Sequence, residues 1–442
     1  MQFNQLGLSQ TVLAALAAKG YTEATPIQAQ SIPSLLEGRD LLGIAQTGTG
    51  KTAAFMLPSI DRLIASGKRP APRGCRMLVL APTRELASQI AESARGYSKG
   101  TGLSVMTVFG GTSLHKNKQD LARGVDILVA TPGRLVDLMD SHHCILSHLE
   151  ILVLDEADQM MDLGFIHALK RIVRDLPAKR QSLFFSATMP KSIRDLATQF
   201  IRNDPVEVKV TPVATTAERV DQHVTFVQQV EKQALLTMMV RDPAVERALV
   251  FTRTKHGADR VVKLLGHADI AANAIHGNKS QPQRERALAE FKSGQAPILI
   301  ATDIAARGID VSGVSHVFNF ELPNVPEQYV HRIGRTARAG ATGIAISFVA
   351  DDERPYLRSI EKLTRVKPTI VPLPENFIAE QAKLPKPAKG DERPERPQGQ
   401  RRPDQRRHDG ERPAGGAPKR NYGPRKGAPG AHRNAVRKTS GR

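Results

Sequence analysis

The residues with the clearest chemistry form a glycine-rich turn. The segment from Ala45 to Thr52 reads AQTGTGKT and follows the apolar run Leu41 to Ala45. Backbone N–H groups of such a turn bind phosphate oxygens, and a helix that begins near Lys51 adds its positive end. Lys51 is expected to reach the terminal phosphates, and the Thr52 hydroxyl to bind magnesium. The predicted phosphate-binding residues are Thr47, Gly48, Thr49, Gly50, Lys51 and Thr52. Ala45 replaces the usual first glycine of such a motif. A purely structural turn is still disfavoured, because strand, turn and helix follow one another in the order that a phosphate-binding turn requires.

A pair of carboxylates supplies what a phosphate site needs in order to hydrolyse its ligand. Asp155 and Glu156 follow the apolar run Ile151 to Leu154, and ligands of parallel sheets bind at the carboxyl ends of strands. Asp155 would hold magnesium through water, and Glu156 could orient and deprotonate the attacking water. Alone, the two residues would be read as a solvated acidic turn. Together with Lys51 and Thr52 they predict a site for phosphoryl transfer to water.

Two other polar clusters are less informative. Asn117 to Asp120 reads NKQD, a string that reads guanine in GTPases, but it does not follow a buried strand, so guanine specificity is disfavoured. His142, His143, Cys144 and His148 match no closed zinc spacing. We interpret both clusters as structural.

Composition places the chain among soluble, basic proteins. It has 442 residues and a net charge of +19, with only two cysteines and no apolar run of membrane-spanning length. Met1 to Gly7 lacks the features of a signal peptide, which favours a reducing cytoplasm. The segment from Gln381 to Arg442 holds 18 basic and 6 acidic residues and almost no large apolar side chains. It is predicted to be disordered, and either solubilises the protein or contacts phosphate backbones.

The elements that must position the chemistry alternate between strand and helix patterns. Short apolar runs are typical of strands buried on both faces of a parallel sheet, and the intervening segments have helical spacing. The predicted strands are Arg76 to Ala81, Asp126 to Ala130, Ile151 to Leu154, Ser182 to Phe185, Ala248 to Phe251, Pro297 to Ala301, His316 to Phe320 and Gly343 to Val349, with helices at Arg84 to Tyr97 and Phe165 to Leu176. The fold class is therefore α/β.

The pattern stops and restarts once, which predicts two domains in tandem. Residues 1–208 would form the first domain, 209–219 a linker, 220–375 the second domain and 376–442 the disordered basic tail.

The chain resembles the DEAD-box RNA helicases, whose signature is spelled by Asp155 to Asp158. The resemblance covers about Phe3 to Ala350 and includes ordered motifs at Gly20 to Gln28, Pro82 to Ala87, Gly110 to Gly111, Thr131 to Arg134, Ser186 to Thr188, Val250 to Thr254, Ser280 to Arg284, Ala301 to Asp310 and His331 to Arg338. It implies two RecA-like domains that close around ATP, magnesium and one RNA strand. Asp162 to Ile166 most resembles the bacterial RhlE-type group.

The resemblance also implies roles at the nucleotide. The Gln28 amide would pair with the N6/N7 edge of adenine and the Phe3 ring would stack on the base, although Gln28 would otherwise be a helix-start residue. Gly308 and Asp310 would contact the nucleotide, with Asp310 on the ribose. Arg335 and Arg338 resemble arginine fingers, and Arg332 is structural or a sensor. Ala337 replaces the family's glycine, and because alanine suits a negative φ we expect little effect.

RNA contacts and coupling residues follow from the same resemblance. The predicted RNA-binding residues are Thr83, Arg84, Gly111, Thr131, Arg134, Arg284, Thr302 and Arg307, and the residues predicted to couple hydrolysis to strand separation are Asp158, Ser186 and Thr188. Contacts to the RNA backbone carry no sequence information, so no sequence preference is predicted.

The predicted function is that of an ATP-dependent RNA helicase that locally separates short duplexes. A translocating DNA helicase is one alternative, disfavoured by the Gln28 motif. A clamp without catalysis is another, disfavoured because Lys51, Glu156 and Arg338 are all present. Expected cofactors are ATP and Mg²⁺. Expected partners are RNA and, as candidates, ribosomal or RNA-decay assemblies, with no membrane.

Overall fold

The computed structural model describes residues 1–46, 48–201, 204–210, 220–306, 309, 311, 313–337 and 343–383. Several predicted residues and segments lie outside this part of the chain: Thr47, Arg307, Gly308, Asp310, Arg338, linker residues 211–219 and tail residues 384–442.

Parallel strands and surrounding helices make up the first domain. The strands are β1 (Leu41–Ile44), β2 (Cys75–Leu80), β3 (Val105–Val108), β4 (Val125–Ala130), β5 (Ile151–Leu154), β6 (Gln181–Ser186) and β7 (Val206–Lys209). The helices are α1 (Gln10–Ala17), α2 (Pro26–Leu36), α3 (Lys51–Ser66), α4 (Arg84–Tyr97), α5 (Leu114–Leu121), α6 (Pro132–Asp140), α7 (Ala157–Asp162), α8 (Ile166–Arg174) and α9 (Lys191–Phe200). The described strands pair in the order β3-β4-β2-β5-β6-β1-β7.

The second domain repeats this plan. Its strands are β8 (Val220–Phe226), β9 (Ala248–Phe251), β10 (Ala272–Ile275), β11 (Ile298–Ala301), β12 (His316–Asn319), β13 (Gly343–Val349) and β14 (Thr369–Ile370). Its helices are α10 (Lys232–Met239), α11 (Lys255–Gly266), α12 (Gln281–Ser293), α13 (Asp303–Ala306), α14 (Pro326–Ile333), α15 (Arg354–Thr364) and α16 (Phe377–Lys383). The described strands pair in the order β10-β11-β9-β12-β13-β8-β14, all parallel.

Strand β2 shows why these sequences form a sheet covered on both faces. Its successive side chains point to opposite faces, so Met77 and Val79 join one apolar core while Leu78 and Leu80 join another. Helices supply the other half of each core, which accounts for the continuous apolar character of the strand. The predicted α/β architecture with two tandem parallel sheets is confirmed.

The sequence-based domain boundaries need two corrections. Strand β7 pairs with β1 through Lys209, and the Val210 amide donates to the Ile44 carbonyl at 3.0 Å, so the first domain extends to residue 210. The predicted tail start at residue 376 is wrong, because α16 is helical and Phe377 is only 3% exposed against the second domain's core. A single buried aromatic side chain was too weak a signal within a polar segment. No helix of the described residues is long and apolar enough to cross a membrane.

Candidate nucleotide and RNA site

The glycine-rich turn adopts a backbone conformation that requires its glycines. Gly48 and Gly50 have φ of 84° and 92°, in the left-handed region that side chains disfavour. A Cβ on Gly50 would lie 2.4 Å from Nε2 of Gln28, so the turn also has no room for a side chain there. The Thr49 hydroxyl donates to the Gln46 carbonyl at 2.8 Å and closes the turn. The turn leads directly into α3, whose N-terminus therefore faces the pocket.

Lys51 is held at the centre of this pocket. Its side chain is 5% exposed, and Nζ donates to the Ala45 carbonyl at 3.1 Å. The same Nζ lies 3.8 Å from Oδ1 of Asp155. The buried ammonium is thus stabilised by a carbonyl and a carboxylate, and it is positioned to bind phosphate oxygens.

Asp155 carries the buried carboxylate at the end of β5. Burial raises its pKa to about 6; Lys51 opposes this shift and Glu156 adds to it. Oδ1 accepts no hydrogen bond from the described residues. Thr52 lines the same pocket and is half-buried. A buried carboxylate oxygen in need of a partner, with a hydroxyl nearby, fits the oxygen ligands that Mg²⁺ takes with water and phosphate.

Glu156 follows in a strained backbone conformation. Its φ is 55°, in the left-handed region, and its side chain is 2% exposed. Such a conformation costs about 1–3 kcal/mol for a residue with a side chain and persists only where the surrounding structure enforces it. The turn aims Glu156 into the pocket that Lys51 and Asp155 also line.

The last acidic residue of the DEAD signature is joined to the segment that follows β6. Oδ2 of Asp158 accepts hydrogen bonds from the Ala187 amide at 3.2 Å, the Thr188 amide at 3.0 Å and the Thr188 hydroxyl at 3.1 Å. Ser186 is fully buried beside them, and its hydroxyl finds no hydrogen-bond partner among the described residues. The structure therefore brings together the three residues predicted to couple hydrolysis to strand separation.

Gln28 contacts the phosphate turn as well as its own helix. Oε1 accepts from the Thr25 amide at 2.9 Å, and Nε2 donates to the Gly50 carbonyl at 3.1 Å. The side chain therefore caps α2 and connects it to the turn. The helix-start role and a ligand role are compatible, because a primary amide retains a second N–H and a second acceptor lone pair.

Tyr21 is an exposed aromatic residue of the pocket that the sequence interpretation did not single out. Phe3 lines the pocket but is only 3% exposed and packs in the first domain's core, whereas Tyr21 is 46% exposed on the same pocket. Tyr21 offers the more accessible ring for stacking on a base. Its position inside the Gly20 to Gln28 motif was the available signal.

The second domain reaches the nucleotide pocket through Ile309. This residue lines the cavity of about 370 Å³ that contains Lys51 and Glu156. NH1 of Arg335 donates to the Ile309 carbonyl at 3.0 Å, and its Nε donates to the His331 carbonyl at 3.2 Å. Arg335 is thus buried directly behind a pocket-lining residue.

Arg332 and Ala337 lie on either side of Arg335 in the same motif. Arg332 is 1% exposed and donates to both carboxylate oxygens of Asp303, at 2.5 and 2.7 Å, which is a structural role. Ala337 has φ of 53°, so the expectation of a negative φ is wrong. Ala337 therefore adopts a left-handed backbone conformation, in which a glycine would be unstrained.

The predicted RNA residues of the first domain meet at the carboxyl ends of β2, β3 and β4. Thr83 caps α4, and Thr131 precedes α6. Gly111 has φ of 84°, and a Cβ there would lie 2.3 Å from NH1 of Arg84. Arg134 donates to the Thr112 carbonyl at 2.9 Å. Arg84 and Arg134 therefore lie beside a backbone turn that has no room for a side chain at Gly111.

The NKQD string has a structural role at this surface. Asn117 is 6% exposed, and its Oδ1 accepts from the Thr112 hydroxyl and from Arg134, each at 3.2 Å. Asn117 and Asp120 both lie within α5, away from the end of a strand.

Arg284 differs from the expected exposed phosphate ligand. It is 8% exposed; Nε donates to Oε1 of Glu85 in the first domain at 2.7 Å, and NH1 donates to the His276 carbonyl at 3.1 Å. Burial, then repulsion from Arg284 and Arg134, lowers the pKa of Arg84. Arg284 therefore joins the arginine cluster as an interdomain ion pair. No local sequence pattern indicates Glu85 as its partner. Thr302, the other predicted RNA residue described here, precedes α13.

Two parallel-sheet domains with a phosphate turn, a buried carboxylate pair and a contribution from the second domain define a P-loop nucleotide hydrolase. A family model described as DEAD/DEAH box helicase matches residues 25–196, and one described as helicase conserved C-terminal domain matches residues 231–340.

Related proteins agree with these matches. The ATP-dependent RNA helicase CshA of Limosilactobacillus reuteri is 42% identical over 367 residues, covering 83% of this chain and 73% of that protein. The DEAD-box ATP-dependent RNA helicase CshA of Streptococcus pneumoniae is 45% identical over 365 residues, covering 83% and 68%. The chain belongs to the DEAD-box family of ATP-dependent RNA helicases.

Solved structures of the family show the same fold. S. cerevisiae Dbp5 bound to RNA and ADP BeF3 superposes with a TM-score of 0.75 at 30% identity, covering 86% of this chain and 98% of that chain. Mss116p bound to ssRNA and AMP-PNP gives 0.76 at 26% identity, covering 87% and 82%. The predicted RecA-like domains are confirmed.

Proposed function

We propose that this protein hydrolyses ATP in the pocket around Lys51 and uses the cycle to separate short RNA duplexes locally. The observation that carries the proposal is the convergence of both domains on one cavity: Lys51, Asp155 and Glu156 from the first, and Ile309, backed by Arg335, from the second. A nucleotide bound there would contact both domains. Its hydrolysis would therefore change the free energy of the domain contact.

The chain's own residues fit ATP with Mg²⁺. Thr52 would bind the ion directly and Asp155 through water, and the bound ion would neutralise charge on the phosphates. Thr47, Gly48, Thr49, Gly50 and Lys51 would hold the phosphate oxygens. Glu156 would orient the attacking water and accept its proton. Gln28, with Phe3 or Tyr21, would favour adenine.

The second domain would complete the site. Arg335 and Arg338 would stabilise charge that develops on the transferred phosphoryl group. Gly308 and Asp310 would contact the nucleotide, with Asp310 on the ribose. The hydrogen bonds of Asp158 to Ala187 and Thr188 offer a route by which a change at the nucleotide reaches the rest of the first domain.

RNA would bind along the arginine cluster through its backbone and without sequence preference. The residues assigned to direct contact with RNA are Thr83, Arg84, Gly111, Thr131, Arg134, Thr302 and Arg307, and Arg284 is assigned to this surface as the interdomain partner of Glu85. Such contacts fix the position of the strand and do not read bases. RNA-bound relatives support this assignment over a DNA helicase.

Several finer assignments are part of the same proposal. Membership of the RhlE-type group rests on Asp162 to Ile166, although the relatives described above are named CshA. A cytoplasmic location and a role in ribosomal or RNA-decay assemblies rest on the soluble, basic character of the chain. The tail, with its net charge of +12 from Gln381 onwards, is proposed to bind RNA without sequence preference.

The experiment measures ATP-dependent unwinding of a short RNA duplex and of the matching DNA duplex, together with RNA-stimulated phosphate release. Glu156→Gln should bind ATP and RNA but lose turnover, because an amide cannot accept the proton. Glu92→Gln, at an exposed position of α4, is the matched control and should behave as the unmodified chain. Unwinding of DNA but not RNA, or normal turnover in Glu156→Gln, would contradict the proposal.

A further inference from the structure

A cationic surface lies at the opposite edge of the first sheet from the nucleotide. It consists of Lys68, Arg69, Arg73 and Arg123, which we call the basal patch. Lys68, Arg69 and Arg73 lie in the segment between α3 and β2, and Arg123 lies between α5 and β4. All four residues are exposed, and the Lys68 side chain is 65% exposed. None of them belongs to the predicted ATP or RNA residues.

Hydrogen bonds hold the two segments of the basal patch together. The Arg73 amide donates to the Ala122 carbonyl at 3.2 Å, next to Arg123. The Arg73 carbonyl accepts from the Ile145 amide at 2.8 Å, and NH1 of Arg73 donates to the His142 carbonyl at 3.1 Å. The cations are therefore neighbours in space although they are distant in sequence.

The backbone under the basal patch is constrained. Pro70 and Pro72 fix φ on both sides of Ala71. Arg73 and His142 have φ of 58° and 55°, both in the left-handed region, and they are hydrogen-bonded to each other. Such conformations persist only where the surrounding structure enforces them. The segment that carries Arg69 and Arg73 is therefore already ordered in the protein, so RNA binding does not have to order it.

Nearby carboxylates neutralise only part of the basal patch. Glu150 accepts from Nε of Arg76 at 2.7 Å, and its Oε2 also accepts from Nζ of Lys68 at 3.4 Å. Asp126 is buried against Arg76 at 3.3 Å. Asp120 is exposed on α5, one turn before Arg123. The four patch cations and Arg76 face these three carboxylates, so the exposed surface keeps a surplus of positive charge, carried mainly by Arg69, Arg73 and Arg123.

Distance separates the basal patch from the RNA surface of the core. Strand β2, whose six residues span Cys75–Leu80, connects the two edges, and six residues cover about 20 Å. Phosphates along a stacked strand are about 3.4 Å apart, so about six nucleotides bridge that distance. A short RNA on Arg84 and Arg134 would not reach the basal patch, whereas a longer RNA would.

We propose that the basal patch is a second, sequence-independent contact for the RNA backbone. It binds RNA that extends beyond the segment held by the core. RNA fits this surface because the patch presents only cationic side chains, and phosphate is the group they bind in bidentate or point-charge form. RNA already bound at the core also has a high effective concentration at this surface. The inference rests on the proposed function, since it takes RNA as the substrate.

The test uses the full chain with Arg69→Glu/Arg123→Glu and the matched control Arg95→Glu/Arg358→Glu. Both controls are exposed arginines on helices, α4 and α15, and the change in net charge is the same. Thermal unfolding checks that both variants fold. RNA affinity is measured with an RNA of about five nucleotides, which is shorter than the distance between the two surfaces, and one of about thirty, which spans about 100 Å. Each titration is run at about 50 and about 200 mM salt.

The expected result is specific to the long RNA. Losing two phosphate contacts should lower the log-log salt slope by about 1.4, so the affinity ratio between the two salt concentrations should shrink about sevenfold. The short RNA should bind and stimulate ATP hydrolysis as before, and the control should match the unmodified chain.

Other results would overturn the inference. Equal slopes for the long RNA, an equal loss for the short RNA, or an equal loss in the control would each remove the basal patch as an RNA contact. The inference would also fail if the unmodified chain bound polyglutamate through the basal patch while the Arg69→Glu/Arg123→Glu variant kept the unmodified affinity for the long RNA. If the short RNA does not stimulate hydrolysis by the unmodified chain, the proposed function itself fails, which the two RNA lengths distinguish.

Discussion

Replacing Glu85 by Gln should weaken RNA-stimulated hydrolysis by loosening the contact between the two domains. Glu85 and Arg284 form an ion pair of 2.7 Å, with side chains 3% and 9% exposed. Removing one charge of a buried pair leaves the other without its partner, at a cost of about 3–5 kcal/mol. Here the remaining charge can regain water when the domains separate. The loss should therefore appear in the equilibrium of domain association rather than in the unfolding of either domain.

The size of the effect follows from that cost. About 3 kcal/mol corresponds to more than a hundredfold change in an equilibrium constant. The observed change should be smaller, because the unpaired charge regains water when the domains separate. We expect the RNA concentration for half-maximal hydrolysis to rise at least about tenfold in Glu85→Gln, equivalent to about 1.4 kcal/mol. Arg284→Gln should show a similar rise.

The assay is an RNA titration of ATP hydrolysis with the full chain, both single variants and the double variant. A direct phosphate contact by Arg284 predicts a different result, because removing the Glu85 carboxylate from beside RNA would strengthen binding. It also predicts a salt slope lower by about 0.7 in Arg284→Gln. The ion pair predicts weakening in both single variants and an unchanged slope. Tighter RNA binding by Glu85→Gln, or a double variant whose loss is the sum of the single losses within about 0.5 kcal/mol, would refute the interdomain role.

Three further substitutions or deletions test other parts of the molecule. Arg338→Ala should lower full-chain turnover by about 10³-fold if it acts as an arginine finger, and a loss below about threefold in steady-state phosphate release would remove that role. Ala337→Gly should relieve backbone strain and raise the free energy of unfolding in urea by up to about 1 kcal/mol; a decrease would show that the methyl group stabilises the fold. Deleting residues 384–442 should flatten the salt dependence of RNA binding and leave saturated turnover unchanged, whereas an unchanged slope would leave solubility as the better explanation for the tail.

The strands of both sheets were predictable because burial on both faces leaves a simple signal. Ala248–Phe251 and Gly343–Val349 agree with the predicted bounds, and β2 differs from its prediction by one residue at each end. Helix α4 also has its predicted bounds, since Thr83 caps its start. These features depend on side chains that are close together in sequence.

The structure differs from the sequence predictions where contacts between distant segments determine the conformation. The partner of Arg284 comes from a residue 199 positions away, and no local pattern indicates that distance. The left-handed φ of Ala337 contradicts the local preference of alanine, so neighbouring segments must enforce it. At α16, Phe377 packs in a core that includes Leu235 and Leu236, more than a hundred positions earlier. Sequence types alone could not indicate which of these long-range contacts would form.

The hydrogen bonds around Asp158 have an uneven tolerance to mutation. Two of the three groups that donate to Oδ2 are main-chain amides, at Ala187 and Thr188, and they remain after any substitution there except proline, which has no N–H. Apart from proline, substitution at position 188 removes at most the hydroxyl bond, and substitution at 187 removes none. Replacement of Asp158 removes the acceptor of all three. Among random substitutions other than proline, those at positions 187 and 188 should therefore keep most of this contact and those at 158 should lose it, although all three positions belong to one contact.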